Sequence, residues 1–418
     1  MEITISKNTV RGSVSVPSSK SLLQRYLIAS FLADGETKLR NVHHCQDTLA
    51  CLNAIIPAKD IEASQVDTLS IVGWNGSIDF PSGIIYCGES GFALRALASV
   101  AALSSRQISL TGSGSLLQRP VDFFEKVFPS LGIECKSNNG FLPLTLEGPM
   151  QFRDISIDGS LSSQFLSGLL MVYPFAKEDH VIEVKNLKSK NYIDLTIQVM
   201  KDFGVNVTHE DYTQFRIPGN QKYQACNADV EGDWSAGSIM LVAGASAGEV
   251  TIKNLSMDSL QPDKSILKVL NDIGAHVQVD GNRITVRKGT MHSFSFDATD
   301  CPDLFPPLVA LAIQCEGISE ITGVERLIHK ESNRALALQQ EFSKLNDKLI
   351  DITGNKMIIR GGLALNSALV DSRHDHRIAM ALAITGLNVE GKISINGAES
   401  VEKSYPEFFT DLAKLLIT

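Results

Sequence analysis

The 418-residue chain repeats one short segment pattern six times, at a period close to 70 residues. Each copy is a strand-like run that closes on Asn or Gly, and the closing residues are Asn41, Gly112, Asn186, Asn254, Gly323 and Gly397. Successive steps are therefore 71, 74, 68, 69 and 74 residues. Because Asn and Gly tolerate a left-handed backbone, the pattern predicts the same turn in every copy. Self-similarity at a fixed period indicates an architecture built from repeated units.

A second marker runs at the same period. A helical pattern ends on Gly132, Gly204 and Gly274, Asn346 stands in a similar place, and a strand-like run follows each, as expected for a helix C-terminal cap. Hairpin-like pairs with polar turns come next, at 137–140, 209–211, 280–282 and 353–355. Each repeat is therefore predicted to run loop, helix, strand, loop, helix, strand, turn, strand.

The two ends of the chain complement one another. The sixth repeat stops in its second helix at 412–418 and lacks a closing hairpin, whereas residues 1–17 look like a hairpin with no helix before it. We therefore expect the amino-terminal hairpin to complete the last repeat. The pattern predicts an α/β protein with two domains, one of residues 18–231 and one of residues 1–17 with 232–418, each holding three repeats.

Composition excludes several classes of function. A net charge of −9 disfavours nucleic acid as a partner, and 44% hydrophobic with 20% charged residues is typical of a globular protein. No apolar run approaches the ~20 residues of a membrane span, and the first residues do not resemble a signal peptide. Seven cysteines without a CxxC pair favour reduced thiols in the cytoplasm, and the histidines show no HExxH spacing, so we expect no metal.

The loops before the predicted helices suit anions. Lys20 and Ser21 lie where a strand hands over to a helix, a junction with free backbone N–H groups and a positive dipole end. Basic residues recur in such loops or one turn later: Lys20, Arg25, Arg95, Arg119, Lys330, Arg334, Arg377 and Lys403. Any one of them could be an ordinary surface charge, but the set predicts a strongly anion-attracting site. Asp303 and Glu331, placed among cations, are the acids expected to transfer protons.

These motifs give the chain a family resemblance over essentially its full length. It resembles the 5-enolpyruvylshikimate-3-phosphate synthases, or 3-phosphoshikimate 1-carboxyvinyltransferases, through Ser19-Lys20-Ser21 with Arg25, Ser162-Ser163-Gln164-Phe165, Lys330-Glu331-Ser332-Asn333-Arg334 and Asp375-His376-Arg377. Gly91 with Arg95, and Gln118-Arg119-Pro120, are weaker matches. The resemblance implies two inside-out, barrel-like α/β domains, each of three βαβαββ units, with the active site in the cleft between them and domain closure over the substrates.

The same resemblance implies a transferase of aromatic amino acid biosynthesis, which moves the enolpyruvyl group of phosphoenolpyruvate to the 5-hydroxyl of shikimate 3-phosphate without a cofactor. The resemblance implies that the domain of residues 18–231 is the one on the shikimate phosphate side. The implied shikimate 3-phosphate ligands are Lys20, Ser21, Arg25, Ser162, Ser163, Gln164, Ser189, Tyr192, Asp303 and Lys330. The implied phosphoenolpyruvate ligands are Lys20, Gly91, Arg119, Gln164, Arg334, Arg377 and Lys403. The implied catalytic residues are Asp303, Glu331 and Lys20.

Three positions depart from the family pattern. Glu89 stands where the family usually has Asn, and Phe92 where it usually has Thr, which leaves the shape of the phosphoenolpyruvate pocket and glyphosate sensitivity open. Arg326 replaces a residue that is often neutral or acidic. One alternative is the sister transferase that acts on UDP-N-acetylglucosamine, but Arg119 falls where that enzyme relies on a cysteine. Another is a non-catalytic phosphometabolite-binding protein. We expect a monomer.

Overall fold

A computed structural model describes residues 1–55, 67–74, 80–160 and 162–417. The chain divides into two compact units. One, the continuous unit, is Lys20–Val230, and the other, the discontinuous unit, joins Met1–Ser19 to Glu231–Thr418. The boundaries expected from the repeats, at 17/18 and 231/232, lie one or two residues from these.

Two strands, β1 (Glu2–Ser6) and β2 (Val10–Val14), precede the continuous unit. The helices of that unit are α1 (Lys20–Leu32), α2 (Gln46–Ile55), α3 (Gly91–Ala101), α4 (Asp122–Val127), α5 (Ser163–Val172) and α6 (Asn191–Asp202). Its strands are β3 (Glu36–Arg40), β4 (Thr68–Val72), β5 (Ile84–Tyr86), β6 (Gln107–Thr111), β7 (Glu134–Asn138), β8 (Phe141–Glu147), β9 (Ile155–Asp158), β10 (His180–Lys185), β11 (Thr208–Glu210), β12 (Gln214–Ile217) and β13 (Asn227–Asp229).

The discontinuous unit repeats the same order of elements. Its helices are α7 (Trp234–Ala247), α8 (Ile266–Asp272), α9 (Phe305–Gln314), α10 (Arg334–Ser343), α11 (His376–Gly386) and α12 (Phe408–Leu415). Its further strands are β14 (Gly248–Ile252), β15 (His276–Asp280), β16 (Arg283–Arg287), β17 (Ser295–Asp297), β18 (Gly317–Thr322), β19 (Ile350–Thr353), β20 (Lys356–Gly361), β21 (Ala368–Asp371) and β22 (Lys392–Asn396).

Six small sheets, one for each repeat, form in the described residues. Their strand orders are β13-β3-β4, β5-β6-β8-β7, β9-β10-β12-β11, β2-β14-β16-β15, β17-β18-β20-β19 and β21-β22-β1. In each sheet the strand after the first helix pairs in parallel with one neighbour and antiparallel with the other. The sixfold repeat and its four predicted hairpins are confirmed, the hairpins being β7/β8, β11/β12, β15/β16 and β19/β20.

The amino-terminal strands complete the discontinuous unit, but not as a hairpin. Strand β1 pairs antiparallel with β22, with Ile3 opposite Ile395, so the first strand of residues 1–17 completes the sheet of the last repeat. Strand β2 instead pairs in parallel with β14, with Val14 opposite Ile252. The predicted pairing of these two strands with one another is therefore wrong. Alternating apolar residues predict a strand, but they do not say which sheet that strand joins.

The repeated turns use Asn and Gly for more than one purpose. Four of the six closing residues have the predicted left-handed backbone: Asn41, Asn186, Gly323 and Gly397, with φ of 57°, 54°, 111° and 70°. Gly112 does not, and is needed for another reason, because a Cβ there would lie 2.7 Å from the carbonyl oxygen of Gly88. The Asn254 side chain fastens the incoming amino-terminal segment, accepting from Val16 N at 3.0 Å and donating to Val16 O at 2.7 Å.

In both units the first helix of a repeat is buried nearly all round. Every residue of α3 and of α11 is buried, and in α7 only Ser235 is partly exposed. Small side chains permit this, since a Cβ on Gly168 of α5 would lie 2.9 Å from the Ala96 Cα of α3. A helix that is packed on all sides holds its first turn in a fixed position. The loops that carry the predicted site residues therefore lead into rigid elements.

Candidate functional site

Lys20 begins α1 and is held by an acid from the next helix. Its Nζ lies 2.9 Å from Oδ2 of Asp47, which is in the first turn of α2. The Lys20 side chain is 14% exposed and that of Asp47 is 7% exposed. A lysine so shielded keeps its charge through a counter-ion, and an anionic ligand can compete with that counter-ion. Sequence reasoning did not single out Asp47.

Arg25, one turn further along α1, is fixed by three neutral oxygens. It donates from Nε to Thr196 Oγ1 at 2.8 Å, from Nη1 to Ser21 O at 2.7 Å and from Nη2 to Tyr192 O at 3.0 Å. The ring of Phe92 covers one guanidinium face, with its centroid 4.3 Å from Cζ. Burial lowers the pKa of Arg25 to about 9, so it stays charged at neutral pH. Within the described part of the chain, two of its five N–H donors have no hydrogen-bond partner.

Two further guanidinium groups converge over Gly91 at the start of α3. A Cβ on Gly91 would lie 2.7 Å from Arg119 Nη1 and 2.8 Å from Arg95 Nη1. Arg95 Nη1 also donates to Gln164 Oε1 at 3.1 Å, which brings the Ser162-Ser163-Gln164 motif to the same place. Burial, and then the charge of Arg119, lower the pKa of Arg95 to about 9. Like charges gathered without side-chain bulk between them are typical of an anion site.

The predicted serines stand at helix starts in the same unit. Ser162 caps α5, accepting from Gln164 N at 3.2 Å, and Ser163 is its first, buried residue. Ser189 is buried two residues before α6 and has a left-handed backbone with φ of 57°, which is uncommon for serine. Tyr192 lies in the first turn of α6 and contributes its carbonyl oxygen to Arg25.

In the discontinuous unit three cations converge on Asp303. Its Oδ1 accepts from Lys330 Nζ at 3.2 Å and Arg334 Nη1 at 2.9 Å, and its Oδ2 accepts from Arg377 Nη2 at 3.1 Å. Burial opposes ionisation, but Arg377, Lys330 and Arg334 outweigh it and hold the pKa of Asp303 well below its usual range. Burial, opposed by Asp303, lowers the pKa of Lys330. The structure thus brings together four residues that the sequence singled out.

Arg334 is fully buried and binds two more carboxylates. Glu331 Oε2 accepts from its Nη2 at 2.6 Å, and Asp375 accepts from Nε at 2.8 Å and from Nη2 at 3.2 Å. Asp375 also caps α11 by accepting from Arg377 N at 3.0 Å. The sequence motif contained Asp375 without a role for it, although an Asp just before an apolar helix is a recognisable cap.

Two other charged residues of the same unit are buried. Lys403 ends the short segment Ala398–Lys403, which packs against α11. Asp263 is 2% exposed, and its Oδ2 accepts from Ser235 Oγ. Its Oδ1 has no hydrogen-bond partner among the described residues. Burial, and then the charge of Asp303, raise the pKa of Asp263 to about 7. Sequence reasoning did not single out Asp263.

Two features are absent from the described residues. No group of three or more His, Cys, Asp and Glu side chains there is arranged to hold a metal ion. Nor does that part of the chain include a helix with the length and apolar character needed to cross a membrane.

Fold and clusters together define a class of protein: two α/β units, each built from three repeats, that gather buried cations at helix starts. Comparison with known proteins makes this specific. The family model for EPSP synthase (3-phosphoshikimate 1-carboxyvinyltransferase) matches residues 5–412. The chain belongs to this family.

Individual relatives cover almost the whole chain. The 3-phosphoshikimate 1-carboxyvinyltransferase of Clostridium novyi is 35% identical over 423 residues, covering 99% of this chain and 97% of its own. That of Clostridium kluyveri is 36% identical over 414 residues, with the same coverage. Among solved structures, an EPSP synthase from Acinetobacter baumannii has a TM-score of 0.81 at 25% identity, covering 99% and 97% of the two chains. The enolpyruvyl transferase NikO from Streptomyces tendae shares the fold, with a TM-score of 0.78 at 16% identity, covering 99% and 96%.

Proposed function

We propose that this protein transfers the enolpyruvyl group of phosphoenolpyruvate to the 5-hydroxyl of shikimate 3-phosphate and releases phosphate. The observation that carries the proposal is the set of three cations, Lys330, Arg334 and Arg377, bound to the single carboxylate of Asp303. Both substrates are polyanions, and cations must offset their mutual repulsion before a bond can form. Family membership supports the same reaction.

Two of the shikimate 3-phosphate ligands proposed in the continuous unit, Ser21 and Tyr192, contact Arg25 through their carbonyl oxygens. Two N–H donors of Arg25 have no partner among the described residues and are proposed to bind phosphate, and Lys20 offers a second positive charge. The full proposed set is Lys20, Ser21, Arg25, Ser162, Ser163, Gln164, Ser189 and Tyr192, with Asp303 and Lys330 from the discontinuous unit.

For phosphoenolpyruvate we propose ligands from each of the two units. In the continuous unit Arg119 and Gln164 flank Gly91, where the absence of a side chain leaves room for two guanidinium groups. Lys20 joins them. In the discontinuous unit the proposed ligands are Arg334, Arg377 and Lys403. Arg334 keeps one N–H of Nη1 beyond those that bind carboxylates, so its direct contribution is a single hydrogen bond.

Asp303 is the proposed base. Substrate anions compete for the cations that hold its pKa low, so substrate binding raises that pKa and prepares the carboxylate to accept a proton. Asp303 then takes the 5-hydroxyl proton as the oxygen attacks C2 of phosphoenolpyruvate, while Glu331, with Lys20, protonates C3. The tetrahedral adduct then loses a proton from C3 to the Glu331 carboxylate as its C–O bond to phosphate breaks. The departing phosphate takes the proton held by Asp303, so acid and base are both restored and the product is released.

The cysteines bear on the cellular compartment in which the protein acts. All seven cysteines are unbridged, which fits a reducing compartment, and we propose that the protein acts in the cytoplasm. We further propose that it acts as a monomer, which light scattering at working concentration can test.

Phosphate release from the purified protein tests the function. Release should require phosphoenolpyruvate and shikimate 3-phosphate together, and omission of either should abolish it. In D₂O the methylene group of the product should acquire deuterium, because the adduct carries a methyl group that exchanges on elimination. Release with UDP-N-acetylglucosamine instead of shikimate 3-phosphate would mean the right fold with the wrong acceptor. Tight binding of both substrates without turnover would support a binding protein.

A further inference from the structure

Glu89, a departure from the family pattern, anchors the segment that carries Arg119. Its Oε2 accepts from Ser115 N at 3.1 Å and from Ser115 Oγ at 2.9 Å. Ser115 belongs to the short helical segment Gly114–Gln118, which leads directly into Arg119. Arg119 Nη2 donates to Ser115 Oγ at 3.4 Å, so one serine joins the carboxylate to the guanidinium. Hydrogen bonds to an ionised carboxylate are stronger than those to a neutral amide.

The backbone of this segment passes close to the Glu89 carboxylate at Gly114. Gly114 has φ of 52°, and a Cβ there would lie 2.2 Å from Glu89 Oε1. The left-handed backbone therefore favours glycine at this position, and a Cβ there would displace the Glu89 carboxylate. An Asn at position 89 would be one methylene shorter and uncharged, and it could not make the same pair of bonds from the same place.

Phe92, another departure from the family pattern, lies in the first turn of α3 and packs against Arg25. Its ring centroid is 4.3 Å from Arg25 Cζ, and both side chains are buried. Arg25 uses three N–H donors on Thr196, Ser21 and Tyr192, so the ring and these bonds together fix the plane of its guanidinium. A Thr at position 92 could not cover that face.

We propose that Glu89 and Phe92 are positioning residues, one orienting Arg119 and the other Arg25, so that the two substrates are tuned separately from the start of one helix. The proposal rests on the function proposed above, in which Arg119 binds phosphoenolpyruvate and Arg25 binds shikimate 3-phosphate.

Steady-state kinetics of matched variants test the proposal. Glu89→Ala should raise KM for phosphoenolpyruvate about tenfold, the cost of a lost hydrogen bond to a charged group, and leave KM for shikimate 3-phosphate within about twofold. Glu89→Gln keeps an acceptor oxygen and should recover most of the loss, and Gly114→Ala should reproduce Glu89→Ala. Phe92→Leu should do the reverse, raising KM for shikimate 3-phosphate by about fivefold. Controls are Glu183→Ala and Phe141→Leu, on exposed faces of β10 and β8.

A second readout does not need activity. In protein labelled with ¹⁵N-arginine, Glu89→Ala should shift the side-chain signals of Arg119 and not those of Arg25, and Phe92→Leu should do the opposite. Equal changes in both KM values, or shifts at both arginines, would overturn the proposal. An inactive wild-type protein whose arginine signals still respond separately would refute the proposed function and leave the positioning intact.

Discussion

Arg334 and Asp375 form a two-pronged ion pair in which neither side chain is exposed to solvent, with Nε–Oδ2 at 2.8 Å and Nη2–Oδ1 at 3.2 Å. Asp375 also caps α11 through the N–H of Arg377. One carboxylate therefore orients a proposed substrate ligand and begins the helix that presents another. Burial disfavours the charge on Arg334, but Asp375, Glu331 and Asp303 together raise its pKa above the usual value.

Asp375→Asn should destabilise the protein markedly. The variant keeps the shape of the side chain but removes its charge, which leaves Arg334 buried with only two carboxylates. We expect a loss of about 3 kcal/mol in the free energy of unfolding, the lower end for a broken buried ion pair. Urea unfolding monitored by circular dichroism measures it. Asp351→Asn, which breaks an exposed pair with Arg360, should cost under about 1 kcal/mol, and equal losses would contradict the argument.

Gly91→Ala should weaken phosphoenolpyruvate binding with little effect on stability. The new methyl group would meet the guanidinium ends of Arg119 and Arg95 at 2.7 and 2.8 Å, and these flexible groups would have to move. We expect KM for phosphoenolpyruvate to rise on the order of tenfold, as for a lost charge-assisted hydrogen bond. Gly281→Ala is the control, since it places strain in an open turn away from the site and should leave KM unchanged. An unaltered KM in Gly91→Ala would remove Arg119 from the proposed site.

The repeat and the basic residues near its helix starts could be predicted from the sequence because both are local features. Each closing Asn or Gly, each helix cap and each basic residue near a helix start lies within a few residues of the others that define it. Ser21 and Arg25, for example, are four residues apart on one helix and could be placed together before any tertiary contact was known.

The partners of those residues could not be predicted, because they are distant in sequence. Thr196, which orients Arg25, is 171 positions away, and Asp375 is 41 positions from Arg334. The sheet that β2 joins is a similar case, since the residues of its partner β14 come after the whole continuous unit in sequence. Local patterns show that a charged residue belongs at a helix start, but only tertiary packing decides which buried oxygen it meets.

Asp303→Asn should abolish turnover while leaving substrate binding nearly intact. We expect kcat to fall by at least about 100-fold, the lower range for a lost general base. Affinity for shikimate 3-phosphate, measured by calorimetry, should stay within about tenfold, because the cations remain. Asp280→Asn, exposed at the end of β15, is the acidic control. Full activity in Asp303→Asn would exclude it as the base.

The difference in stability between the wild-type protein and Asp303→Asn should depend on pH in a defined direction. The pKa of Asp303 lies well below 3.8 in the folded protein, so its ion pairs stabilise the fold above that value and lose their effect as the pH falls through the folded pKa. The deficit in melting temperature of Asp303→Asn should be largest near neutral pH and shrink in acid. A deficit that grows in acid would contradict the ion-pair arrangement.

Asp263→Asn should have the opposite pH dependence. Burial, and then Asp303 and Asp233, favour the neutral carboxyl, whereas Arg377 and Ser235 oppose them, and the pKa rises from 3.8 to about 7. A carboxyl whose pKa is higher in the folded state costs stability as the pH rises from its unfolded pKa to its folded one. Asn stays neutral throughout.

The melting temperature of Asp263→Asn relative to wild type should therefore climb between pH 4 and about 7 and level off above that. Differential scanning calorimetry at intervals of one pH unit measures this difference. Asp258→Asn, on an exposed side chain of the same loop region, should show no such climb. A constant offset at every pH would mean that Asp263 ionises normally, and that the oxygen without a hydrogen-bond partner in the described residues is solvated in solution.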